Sequence, residues 1–200
     1  MTNRTAGGWA LIGFAIIAIV IFLIHPDRID ETPLIGPWSL NAITHSVALV
    51  YVPLLGLGFW ALGEWLGLDR PLVRVALVFN LLAVVLMTLA PLVSGFITAS
   101  AFADGDATGR LAVAFNRAFD RGYIGYSAIA LLLNGVSLPR ERWLWKALSW
   151  PIGLAPLAWL ASGRFDPDPH AMLLLAVAQG GWFLVAGWAL LAADRQSPAR

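Results

Sequence analysis

Apolar residues in this chain come in long runs, not at the 3.6-residue spacing of a helix with one wet face. A helix apolar on every side meets no water, so it lies deep in a large protein or crosses a bilayer. Short polar breaks mark off six such runs, at about 8–24, 38–66, 72–99, 110–138, 143–161 and 170–193. Each reaches or approaches the ~20 apolar residues that span a hydrocarbon core. The pattern predicts an all-α integral membrane protein: one domain over residues 1–200, a bundle of six transmembrane helices.

The punctuation inside the runs refines this. The first begins near Gly8 after Arg4 and ends at Ile24; His25-Pro26-Asp27-Arg28 follows with no small-residue cleavage site, so an uncleaved first span is expected. Pro53 in the second run and Pro91 in the third should each free a carbonyl, and Pro151 and Pro156 should bend or break the fifth. Asp104-Gly105-Asp106 reads as a turn within the longest connection, residues 100–121. The apolar part of the fourth run is only Gly122 to Leu138, so its N-terminal half should project beyond the bilayer.

Composition agrees with the pattern. Charged residues make up 12% of the chain, against about 25% in soluble domains. Hydrophobic content is 59% and mean hydropathy +0.75. The net charge of +1 offers no field for nucleic acid. The absence of cysteine excludes disulfides, thiolate metal sites and cysteine nucleophiles. Basic residues set the orientation: Arg4, Arg70, Arg74, Arg140, Arg142, Lys146, Arg195 and Arg200 fall on the side of the N-terminus, more than the opposite loops carry. The positive-inside rule then puts both termini in the cytoplasm of what is read as a bacterial inner (plasma) membrane protein. Of the ten tryptophans, Trp9, Trp60, Trp65, Trp143, Trp145 and Trp188 are expected at the inner interface, and Trp38 and Trp159 at the outer.

Polar side chains inside a membrane are costly and usually have a purpose. Asn41, Thr44 and His45 share one face at the start of the second run. Ser94 and Thr98 follow Pro91 in the third, beside Gly95, which permits close approach. Asn116, Asp120, Tyr123, Ser127 and Asn134 form one stripe along the fourth, and Arg117 and Arg121 flank Asp120 as expected ion-pair partners. His170 opens the sixth run. His45 lies seven residues into its run, about 10 Å deep. His45 and His170 are the expected ligands if haem or a metal ion binds, since histidine is the nitrogen ligand such centres use. His25 reads as an interfacial residue beside a proline turn.

The candidate ligand-binding set is therefore His45, Asn41, Thr44, Ser94, Thr98, Asn116, Asp120, Tyr123 and His170, all in the outer half. A channel needs polar lining through the whole thickness. This asymmetry instead implies a pocket open outward and closed below. Phosphate-binding loops, dinucleotide fingerprints and nucleophile elbows are absent, so no motif decides between an enzyme and a binding protein. The leading expectation is a pocket around His45 for a small ligand: haem, a metal ion, a quinone or a lipid headgroup. One alternative is a non-catalytic membrane subunit or assembly factor, with the polar stripe used up in packing against a membrane-protein partner or a second copy. The other is a small transporter or permease.

Overall fold

The computed structural model describes residues 1–25, 33–35, 38–166 and 169–195; for Pro33, Trp38, Pro169 and His170 it describes the backbone alone. The fold is all-helical apart from one small hairpin. Helix α1 spans Asn3–Ile24 and starts where the Thr2 hydroxyl accepts a hydrogen bond from the Thr5 amide. Strands β1 (Pro33–Ile35) and β2 (Trp38–Ser39) pair antiparallel, an element that the sequence did not announce. Helix α2 (Leu40–Leu66) is capped by Ser39, whose hydroxyl accepts from the Ala42 amide at 3.1 Å. That cap moves the helix start to Leu40, so His45 sits about 7.5 Å along the helix rather than 10 Å.

Helix α3 (Pro71–Leu92) runs into one π-helical turn (Val93–Ile97) and then α4 (Thr98–Ala103). Pro91 thus leads into a widened turn, in which the Thr98 hydroxyl donates to the Val93 carbonyl at 2.8 Å. Only Asp104 and Gly105 separate α4 from α5 (Asp106–Ser137), so the expected long connection is a tight turn with Gly105 at φ +135°. A 3₁₀ turn (Arg140–Arg142) leads to α6 (Trp143–Ala161), which stays helical through both Pro151 and Pro156 instead of breaking. Helix α7 covers Pro169–Arg195.

The helices form a closed circle. α1 packs between α2 and α7, α2 also meets α3, α3 meets α5, α5 meets α6, and lighter α6–α7 and α2–α7 contacts complete it. Small residues let α1 and α7 cross closely: a β-carbon on Gly8 would stand 2.8 Å from the Gly187 carbonyl oxygen. Inside, Phe14, Phe59 and Phe183 interlock edge to face, with ring centroids 5.8 and 5.5 Å apart. Outside, large apolar residues such as Leu23, Val50, Val78, Leu144 and Leu174 are exposed on α1, α2, α3, α6 and α7. A surface of that kind is built to meet lipid.

Among the described residues, four helices are long and apolar enough to cross a membrane: Asn3–Ile24, Leu40–Leu66, Pro71–Ala103 and Ala171–Arg195. α5 and α6 fall short of that measure. α5 carries Asp106, Arg110, Arg117, Asp120 and Arg121 in its first half, and α6 is 19 residues long with Lys146 and two prolines. Trp9, Trp60, Trp143 and Trp188 are exposed where α1 begins, α2 ends, α6 begins and α7 ends, which antiparallel packing puts at one end of the bundle. Trp145 departs from that belt. It is buried, stacked on Trp65 and tilted against Trp182.

Candidate functional site

At the opposite end from that tryptophan belt the helices enclose a cavity of about 260 Å³. Every rod of the circle except α6 contributes to its lining. From α2 come Asn41, Thr44 and His45, as their shared face requires, with Ala48, Tyr51 and Val52 below them. From the α3 end come Met87, Ala90, Pro91 and Ser94, followed by Thr98 of α4. From α5 come Val113, Asn116, Asp120 and Tyr123; α1 supplies Ile21, Phe22 and the terminal His25, and α7 supplies Met172. Eight of the nine residues singled out from the sequence therefore share one cavity. The ninth, His170, has a side chain outside the described part, so its expected pairing with His45 has no described counterpart.

His25 is the described neighbour of His45. Its Nε2 lies 3.5 Å from His45 Nε2, with ring centroids 5.0 Å apart at an interplanar angle of 74°. Phe22 stacks on the His25 ring from one turn earlier. The pairing follows from antiparallel α1 and α2, which bring the end of one beside the start of the other. Nothing in the spacing of either histidine signals it; the available clue was that consecutive antiparallel helices place residues near their shared connection at one depth.

His45 is buried and oriented from two sides. Its Nδ1 lies 2.7 Å from the Asn41 carbonyl oxygen, so Nδ1 carries the proton and Nε2 the lone pair. The π-helical turn brings Gly95 against the other side of the residue, where a β-carbon would overlap His45 Cβ. Only glycine allows that approach, and this is the close contact that the sequence anticipated at position 95. Thr44 is satisfied locally, donating to the carbonyls of Leu40 and Asn41 at 3.0 Å each.

The amides are less well served. Asn116 Nδ2 donates to Asp120 Oδ2 at 3.1 Å, yet Asn116 Oδ1 and Asn41 Nδ2 are buried without a hydrogen-bond partner among the described residues. The expected pairing of Asp120 with its flanking arginines is not made. Arg117 Nε reaches Asp166 Oδ1 at 3.6 Å and Arg121 donates to the Phe165 carbonyl at 3.1 Å, because both side chains lie toward the segment after α6. Neither arginine lines the cavity.

Below the cavity the stripe on α5 is used up in packing. Tyr123 donates to Gln179 Oε1 at 2.8 Å, and Gln179 Nε2 donates to Ser127 Oγ at 3.1 Å. Deeper still, Trp182 Nε1 donates to Ser149 Oγ at 2.8 Å. Asn134 and Asn80 are buried, and Asn134 Nδ2 and Asn80 Oδ1 lack a hydrogen-bond partner among the described residues. The void under the cavity, ringed by Phe14, Met87, Tyr123, Met172 and Phe183, is only about 10 Å³. No group of three or more His, Asp or Glu side chains poised around one metal position occurs among the described residues. Compared with protein-family models, curated proteins and solved structures, the chain matches none, so its function has to be argued from the geometry of this cavity.

Proposed function

We propose that the chain is a six-span bacterial inner-membrane protein, both termini cytoplasmic, whose outward-facing cavity binds the polar head of a small organic amphiphile. One observation carries the reading: a cavity of about 260 Å³ lined by Asn41 and Asn116, each of which has one buried amide atom, Asn41 Nδ2 and Asn116 Oδ1, without a hydrogen-bond partner among the described residues. Each unpaired buried group costs about 1–3 kcal/mol. A ligand offering an oxygen acceptor to Asn41 and a hydroxyl donor to Asn116 relieves both. The apolar part of the wall, including Phe22, Ala48, Val52, Met87 and Met172, suits a ring or the first carbons of a tail.

Size and charge narrow the ligand. The volume lies just below the ~300–1,000 Å³ of ordinary small-molecule pockets, which favours a single ring or headgroup over a porphyrin macrocycle. Among the described residues the lining holds Asp120 and no lysine or arginine, which disfavours an anionic phosphate. A quinol ring, uncharged and bearing hydroxyls that both donate and accept, fits best. The narrow void beneath supports a blind pocket over a transport path. The packing reading retains support lower down, where Tyr123, Gln179 and Ser127 satisfy one another.

The test is direct titration of the detergent-solubilised protein by calorimetry, with a short-tailed benzoquinol in one arm and a short-chain phosphatidylglycerol in the other. The quinol should bind and the anionic lipid should not. Asn41→Leu and Asn116→Leu should each weaken quinol binding about 10-fold or more, the cost of one lost polar contact. Equal binding by the two variants and the unaltered protein, or no binding at all, would overturn the reading. A reporter fused after Arg200 should be active only on the cytoplasmic side; activity outside would overturn the orientation.

A further inference from the structure

The two histidines on the cavity rim have the geometry of a metal site. His45 Nδ1 is engaged by the Asn41 carbonyl at 2.7 Å, which leaves Nε2 as a lone-pair nitrogen aimed at His25 Nε2. This is the orienting bond that metal-ligating histidines usually make through their second nitrogen. The Nε2–Nε2 distance is 3.5 Å, beyond the usual 2.7–3.2 Å of an N–H hydrogen bond. It is close to the ~3.4 Å that separates two imidazole nitrogens each about 2.0–2.1 Å from a tetrahedral ion. Phe22 under the His25 ring and Gly95 against His45 hold both rings in place.

We propose that His25 and His45 bind one divalent transition-metal ion, of the zinc or copper(II) class, through their Nε2 atoms. Imidazole ligands without thiolate suit these ions, and the chain has no cysteine. His25 and His45 are the two nitrogens the described residues bring to this point, and the cavity beside them leaves room for water or an oxygen of a bound molecule. The proposal does not rest on the organic ligand: it uses His25 and His45, whereas the quinol reading uses Asn41 and Asn116.

The experiment uses the full chain purified without a polyhistidine tag and stripped by a chelator. One equivalent of Cu²⁺ is added, and binding is followed by calorimetry and by electron paramagnetic resonance. The expected spectrum shows superhyperfine coupling to two imidazole nitrogens in the unaltered protein, a readout that needs no variant to fold. His25→Asn and His45→Asn should each weaken binding at least about 10-fold, and His170→Asn should leave it unchanged, since these are the chain's three histidines. A spectrum with one nitrogen or none would overturn the proposal. So would loss of binding in His170→Asn, or unchanged binding in His25→Asn with the protein still eluting as a single folded species.

Discussion

The contact between Tyr123 on α5 and Gln179 on α7 floors the cavity and can be weighed by a double-mutant cycle. Gln179 is 1% exposed and Tyr123 is 6% exposed, and their 2.8 Å hydrogen bond joins helices that are not neighbours in the circle. Tyr123→Phe removes the hydroxyl and leaves Gln179 Oε1 without that donor, a cost of about 1 kcal/mol. Gln179→Leu removes two bonds at once. It strands the tyrosine hydroxyl, whereas Ser127 keeps its own bond to the Ile124 carbonyl at 3.1 Å. About 2 kcal/mol is expected for that change. Because both substitutions delete the same Tyr123–Gln179 bond, the double variant should cost less than the sum. The shortfall should be about 0.6–1.7 kcal/mol, the range of interhelical hydrogen bonds measured inside membranes. Unfolding titrations in mixed detergent micelles give all four stabilities. Strict additivity, within about 0.3 kcal/mol, would mean that the two side chains are not coupled and that the floor of the cavity is held some other way.

Three further outcomes follow from the packing. Gly8→Ala should destabilise by about 1–3 kcal/mol, because its β-carbon would meet the Gly187 carbonyl and Leu191, whereas Gly13→Ala, with open space around it, should be neutral or stabilising by up to about 1 kcal/mol; thermal unfolding compares the pair. Trp182→Phe should cost about 1–2 kcal/mol through loss of its bond to Ser149, and the missing emission of a buried indole should appear in the fluorescence spectrum. Arg117→Ala should change stability by less than about 0.5 kcal/mol, since its 3.6 Å ion pair with Asp166 is more than half exposed on both sides.

The helical pattern of the fold was open to reading in the sequence because it depends on local chemistry. Long apolar runs define the helices and Gly105 marks the turn between α4 and α5, whereas the caps Thr2 and Ser39 put two starts at Asn3 and Leu40 and not at the expected 8 and 38. The other departures all involve groups satisfied by neighbours that no local rule can see. α6 stays helical past two prolines, Pro91 leads to a π turn rather than a break, and Trp145 is drawn inward by Trp65 and Trp182. The membrane reading is strongest where composition alone decides it, in four helices; α5 and α6 depend on the circle they help to close.

The site was readable through depth more than through spacing. Polar residues placed at one level by an antiparallel bundle must face inward, because lipid will not accept them, and inward at one level means toward one another. That argument needs no knowledge of which helices touch, and the residues it singled out, Asn41, Thr44, His45, Ser94, Thr98, Asn116, Asp120 and Tyr123, line one cavity. It could not single out His25 as a neighbour of His45, because only helix adjacency brings the end of α1 beside the start of α2. Nor could it assign the arginines beside Asp120, since residues one and three positions away on a helix diverge once a loop offers a carbonyl and a carboxylate. Depth therefore fixes who belongs to the cavity, and adjacency fixes the pairs within it. The chemistry proposed here rests on the second kind of information, in a histidine pair and two unpartnered amides that no linear pattern encodes.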